Sequence, residues 1–361
     1  MGVQTLQGKP ARMEWLDCAK GIAIALVIIG HTVTGAGDRY RELVRAIIFS
    51  VHMPLFFMAS GATMRFSGSG RMLAGQARKS FRRLIVPALH LFCARTVIEF
   101  ASGRYGAGGL AGFLGERFQT LIYASGVRVR TGSGVIPEFG MMWFLVVLFI
   151  SRILSGVLYC TVQDRTRRIA VLAFLSCLGV YFGRTQWLPL SFDVVLTVLP
   201  LIWLGHSLKP ERLDLRLAGV CFAAWAISFS LVYLKAKGYS GYLELAARRY
   251  PFFPLCMIPA VSGSLFVFGF CKAMERFRRF SGLWSYLGRH SLGLFSVHAM
   301  DYLYGSLWSR PESTIIRCAL RLCLDAGILV LFLAVKTAVL RSKHNAKREK
   351  VKNGYLLTNT G

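Results

Sequence analysis

Residues 14–35 read EWLDCAKGIAIALVIIGHTVTG, and the reading of this stretch decides the fold. It is apolar over about the 20 residues that span a bilayer's hydrocarbon core, yet it carries Asp17, Lys20 and His31. Ionisable groups inside lipid are costly and mark pairing or function. A helix turns about 100° per residue, so positions eleven apart return to nearly one direction. Lys20 and His31 have that spacing and Asp17 lies three before Lys20, so all three share one stripe. A rise of about 1.5 Å per residue separates Lys20 from His31 by roughly 16 Å, half a membrane. An i, i+3 ion pair, with the lysine snorkelling to the headgroups, accounts for Asp17 and Lys20 without chemistry. His31 resists that account. Imidazole titrates near neutrality and accepts a proton from a hydroxyl, and it gains nothing from apolar packing. Its structural alternative is a hydrogen bond to a neighbouring helix.

The pattern recurs outward from this segment. The chain has 361 residues and is 54% hydrophobic, with a mean hydropathy of +0.49, outside the range of soluble domains. Apolar runs of spanning length recur at roughly 15–34, 44–64, 84–101, 140–160, 168–184, 188–207, 215–235, 252–271, 290–308 and 315–340. No room remains for a separate soluble domain. The expectation is an all-α polytopic integral membrane protein of about ten transmembrane helices. Residues 1–12 form a polar segment, 13–340 the membrane domain and 341–361 a basic tail. The first run lacks a small-residue cleavage site and is expected to stay as an anchor.

A net charge of +27 would point to nucleic acid in a soluble protein. Here the cations cluster between apolar runs: Arg65, Arg71, Arg78, Lys79, Arg82 and Arg83; Arg165, Arg167 and Arg168; Arg276, Arg278 and Arg279; and the tail from Arg341 to Lys352. With ten crossings these fall on one side together with both termini, and the positive-inside rule makes that side cytoplasmic. The partner read from the charge is the lipid bilayer, not nucleic acid. Arg248 and Arg249, on the outer side, are exceptions. Nine cysteines without a C-x-x-C pair support neither a metal site nor a disulfide framework.

Further candidates lie along the chain. FSVHMPLFFMASG, residues 49–61, places His52 about two turns inside the second span, at a depth like that of His31. Pro54 frees backbone carbonyls there, which membrane helices tolerate where a cavity or neighbour satisfies them. Residues 101–139 form the longest outer stretch, with an amphipathic piece GLAGFLGERFQTLIYA. It reads as an interfacial helix in a loop, or as an acceptor surface using Tyr105, Phe113, Phe118 and Tyr123. His90 and His206 are expected in helix-to-helix hydrogen bonds. Asp193 and Asp301 need partners, and Asp301 is placed to orient His298.

EWLDCAKGIAIALVIIGH resembles the opening of the acyltransferase 3 family of membrane O-acyltransferases, with a basic residue, ten intervening positions and a histidine: Lys20 to His31. FSVHMPLFFMASG is similar to that family's second span, MWFLVVLFI at 142–150 and LPLIWLGHSLK at 199–209 to later ones, and YLGRHSLGLFSVHAM at 286–300 to its penultimate span. The resemblance runs from 13 to about 340. It implies transfer of an acetyl group from acetyl-CoA, as co-substrate with no bound cofactor, to a carbohydrate hydroxyl in a bacterial inner membrane. It makes His31 catalytic, as a general base or as an acetylated nucleophile. Asp17, Lys20, His52, His298 and Asp301 are then cavity or supporting residues.

The family's donor-binding R-x-x-R becomes Lys79-x-x-Arg82 here, flanked by Arg78 and Arg83, which leaves open which of the four meet a CoA phosphate. Such a cluster suits a polyanionic nucleotide, although positive-inside topology alone also explains it. The acceptor is a surface polysaccharide or a secreted lipo-oligosaccharide, such as the fucose or glucosamine of a nodulation factor. The rival class is a transporter or flippase of a lipid-linked saccharide, which would need no acetyl-CoA.

Overall fold

A computed structural model describes residues 12–33, 38–66, 70–103, 108–132, 134–237 and 241–358. Among them, 9 helices are long and apolar enough to cross a membrane. The chain is an all-α polytopic membrane protein. α1 (Glu14–Thr32) and α2 (Arg39–Ala62) form the first hairpin. Later spans are α6 (Trp143–Thr161), α7 (Arg165–Thr185), α8 (Phe192–His206), α9 (Leu215–Lys235) and α10 (Met257–Met274). Several start where a carboxylate takes the unpaired amides of the first turn: Asp38 accepts from Tyr40 and Arg41, Asp164 from Arg167 and Asp214 from Leu217. α1, α2 and α8 are largely buried inside the protein, whereas α9 and α14 (Thr314–Thr358) present exposed side chains such as Leu231, Leu234, Leu331 and Phe332. Those apolar faces belong to lipid.

Three elements differ from the sequence expectation. The third span is a 32-residue helix from Gly70 to Ala101, made of α3 (Gly70–Ser80), a π-helical turn at Phe81–Ile85, and α4 (Val86–Ala101). Pro87 is the cause, since it offers no N–H and crowds the carbonyl four residues back, and the wider turn relieves both. The last helix continues through 358, so the backbone of the basic tail is helical and continuous with the final span.

The span expected at 290–308 is not among the 9 candidate crossings; in its place lie α11 (Arg278–Arg289) and α12 (Ser291–His298), divided at His290. They run parallel to α1: Ser285 Oγ donates to the Glu14 carbonyl at 3.1 Å, and the His298 ring lies 5.7 Å from that of His31. Residues 301–309 form a 3-10 turn and the short α13 (Gly305–Ser309). Small residues define this contact. A Cβ on Gly288 would sit 1.7 Å from the Asp17 carbonyl oxygen, and one on Gly21 2.0 Å from that of Trp284. Two backbones in contact require glycine at both positions.

The outer ends are tied together by charge. Asp193 pairs with Arg248 at 2.9 Å, both fully buried. Arg248 also donates to Ser191 Oγ and lies 3.9 Å over the Trp187 ring. Glu244 holds Arg249 at 3.3 Å and Arg45 at 3.5 Å. Arg248 and Arg249, singled out from the sequence, are thus each held by a carboxylate. Outer residues 109–136 fold as α5 (Gly109–Tyr123) and a two-stranded hairpin, β1 (Val129–Thr131) with β2 (Gly134–Ile136). On α5, Phe113 is buried while Leu110, Leu114 and Phe118 are exposed; Tyr105 lies outside the described residues. His90 bonds the Val86 carbonyl of its own helix, and His206 reaches the Met64 carbonyl after α2.

Candidate active site

A cavity of about 570 Å³ opens at the basic end of the bundle, between α1, α2, α3, α6, α11 and α12. Its wall carries Arg12, Lys20, Arg65, Lys79, Arg83, Arg152 and Arg289 against one carboxylate, Asp17. Asp17 is shared by Arg12 and by Lys20, at 3.7 Å. Like charges gathered in a partly desolvated space repel strongly unless an anion joins them. Arg152 states this most sharply. It projects from the α6 span, donates to the Ser60 carbonyl at 3.0 Å and to Ser60 Oγ at 2.6 Å, and has no carboxylate partner among the described residues.

Of the four basic residues singled out before the third span, all are exposed; Lys79 and Arg83 line the cavity, whereas Arg78 and Arg82 lie off its wall. Lys79 and Arg83 are four residues apart, about one turn, and so share a face of this helix. Asp17 and Lys20 therefore belong to the cavity mouth, far along α1 from His31.

Phe56, Phe144 and Phe295 line the same cavity. About one helical turn on from Phe56 and Phe295 stand His52 and His298. His298, three residues past Phe295, is fully buried, and its Nδ1 lies 2.9 Å from Asp325 Oδ2. Asp325, itself fully buried, accepts a second bond from the Tyr304 hydroxyl at 2.7 Å. With Nδ1 given to Asp325, His298 Nε2 is the accepting nitrogen, and it is buried with no partner among the described residues.

His31, on the next helix, keeps an accessible face while its ring packs against Phe49 at 6.0 Å and His298 at 5.7 Å. It points into the bundle, not into lipid. His52 touches the same Phe49 ring at 4.6 Å and gives its Nδ1 to the Ile48 carbonyl at 3.0 Å. The three histidines thus form a chain of ring contacts: His52 and His31 meet on Phe49, and His31 meets His298.

Asp301 has a different role from the one expected. Its carboxylate pairs with Arg321 and lies 3.7 Å from His298, so Asp325 is the acid that orients the ring. Arg321 also donates to Thr32 Oγ1 at 3.1 Å, beside His31, and stacks over Trp308. Asp325 and Arg321 escaped the sequence reading. Their signal was present: two ionisable residues one turn apart inside the last apolar run, LRLCLDAGIL, the same anomaly that singled out α1.

A cationic cavity one helical turn from a buried, acid-oriented histidine is an arrangement suited to chemistry, and the comparison with protein families names a class for it. The model of the acyltransferase domain, Acyl_transf_3, matches residues 13–341, and the chain belongs to this family. It is a multi-pass membrane acyltransferase. No curated protein and no solved structure matches the chain closely enough to add a substrate to that assignment.

Proposed function

We propose that the protein transfers an acetyl group from acetyl-CoA to a carbohydrate hydroxyl. The observation that carries this reading is the cavity whose mouth is lined by cations and whose inner end stops one helical turn short of His298. The nucleotide phosphates are held at the mouth by Lys20, Lys79, Arg83 and Arg152. Charge-assisted bonds to phosphate are the strong ones, and guanidinium forks suit them. The flexible arm carries the thioester inward, past the phenylalanines. The acceptor hydroxyl reaches His31 from the opposite end, where its accessible face lies.

There the hydroxyl oxygen attacks the thioester carbonyl, the C–O bond forms and the C–S bond breaks. The hydroxyl proton passes to neutral His31 and then to the departing thiolate, so ester and free CoA thiol leave with no net proton change. His298, fixed by Asp325, places an accepting Nε2 beside His31 and stabilises the imidazolium as it forms, as a carboxylate-oriented histidine does in other acyl-transfer sites. Arg321, paired with Asp301, adds positive charge near the developing oxyanion through Thr32.

The acceptor class follows from the chemistry of a water-facing hydroxyl: a surface polysaccharide or a secreted lipo-oligosaccharide of a bacterial inner membrane, with the sugars of a nodulation factor as the narrowest candidate. Purified protein in lipid nanodiscs, given radiolabelled acetyl-CoA and glycans from a deletion strain, moves label onto glycan as alkali-labile ester. Label that stays on CoA while unacetylated saccharide accumulates inside the deletion strain assigns the protein to saccharide export instead.

A further inference from the structure

Phe56, Phe144 and Phe295, from three helices, line the cationic cavity, and Phe56 and Phe295 each stand about one helical turn from a histidine, His52 and His298. The Phe144 ring lies 5.6 Å from Phe56 and 6.1 Å from Phe295, and Phe57 backs it at 5.3 Å. The order of residues repeats on each wall. On α2 it runs Ser60, Phe56, His52 from the basic end inward; on α11 and α12 it runs Arg289, Phe295, His298; on α6 it runs Arg152, then Phe144. Phe144 and Phe295 are nearly buried. Their rings face the cavity yet offer nothing to a phosphate and no proton to a hydroxyl.

We propose that Phe56, Phe144 and Phe295 form a collar through which the acyl end of the donor must pass, and that this collar selects acyl groups by cross-section, not by length. The inference rests on the donor site described above. A thioester held by its nucleotide at the mouth reaches His31 only between these rings. A straight acyl chain is no wider than the arm behind it and follows the same path. A branch next to the carbonyl is wider and meets ring faces held from three helices. Interiors this close-packed do not widen without repacking, so the branch is refused. Aromatic rings suit the role better than aliphatic chains, because a flat, rigid edge narrows an opening with only two side-chain torsions to fix.

The test compares two donors of equal atom count, n-butyryl-CoA and isobutyryl-CoA, in transfer to one glycan acceptor. Wild-type protein is expected to favour the straight chain by about tenfold or more, the discrimination one misplaced methyl group gives in a tight pocket. Phe144→Ala and Phe295→Ala are each expected to bring that ratio toward one. Where an alanine variant fails to accumulate in membranes, Phe144→Leu and Phe295→Leu decide the same ratio. A wild type that takes both donors equally, or refuses both equally while using acetyl-CoA, overturns the collar. So does a ratio unchanged in variants present at wild-type abundance. A wild type that transfers no acyl group from any CoA thioester fails the underlying donor reading, and the collar with it.

Discussion

His31 stands on the same helical stripe as Lys20 but shares none of its surroundings: Lys20 meets Asp17 at the cavity mouth, and His31, in the last turn of α1, meets His298 and Phe49. Removing a positioned general base costs about 10²- to 10⁴-fold in rate, so His31→Ala is expected to lose transfer by that order with membrane abundance unchanged. Asp325→Asn keeps the shape of the side chain but no longer fixes the His298 tautomer, and should slow transfer by at least about tenfold. Both are read as initial rates against immunoblotted protein. On the donor side, Arg83→Ala and Arg152→Gln each remove a charge-assisted bond, worth about 1.5–3 kcal/mol, and should raise KM for acetyl-CoA about 10- to 100-fold. Arg82→Ala should leave KM within about twofold, because Arg82 lies off the cavity wall that Arg83 lines. Equal effects at Arg82 and Arg83 would show that the cavity wall does not choose between them.

At the scale of elements, hydropathy found the long spans because lipid demands about 20 apolar residues in a row. It misplaced the span expected at 290–308 for an equally physical reason. FRRFSGLWSYLGRH is held against α1 by the small faces of Ser281, Ser285 and Gly288, which are buried by protein and not by lipid. Apolarity is not what such a segment needs. Gly288→Ala tests this: its Cβ would overlap a carbonyl oxygen that cannot yield, and overpacking of this kind costs about 1–3 kcal/mol or more. The expected result is a lowered melting temperature in detergent and less protein in membranes, whereas Gly282→Ala, with open space around it, should change neither. The sequence likewise showed His31, His52 and His298 but not the acid that orients His298. Asp301 lay closer in the chain, three residues from His298, and only tertiary packing brings Asp325 nearer.

Taken as a whole, the molecule places cations at one end, histidines at mid-depth and an ion-paired cap at the other. The positive-inside rule anticipated the first; the cap was not legible, because Arg248 is explained only by Asp193, 55 residues away in the chain. Arg248→Leu leaves that acid buried and unpaired, which costs about 3–5 kcal/mol, and thermal unfolding should register it directly. The central claim is that a donor bound among the cations and a hydroxyl arriving from the far end meet at His31. It is tested most directly by measuring, in one reconstituted preparation, CoA binding and acetyl transfer for wild type and His31→Ala. The account predicts equal CoA affinity and transfer only by wild type. Transfer retained by His31→Ala, or no binding of CoA by either protein, would contradict it.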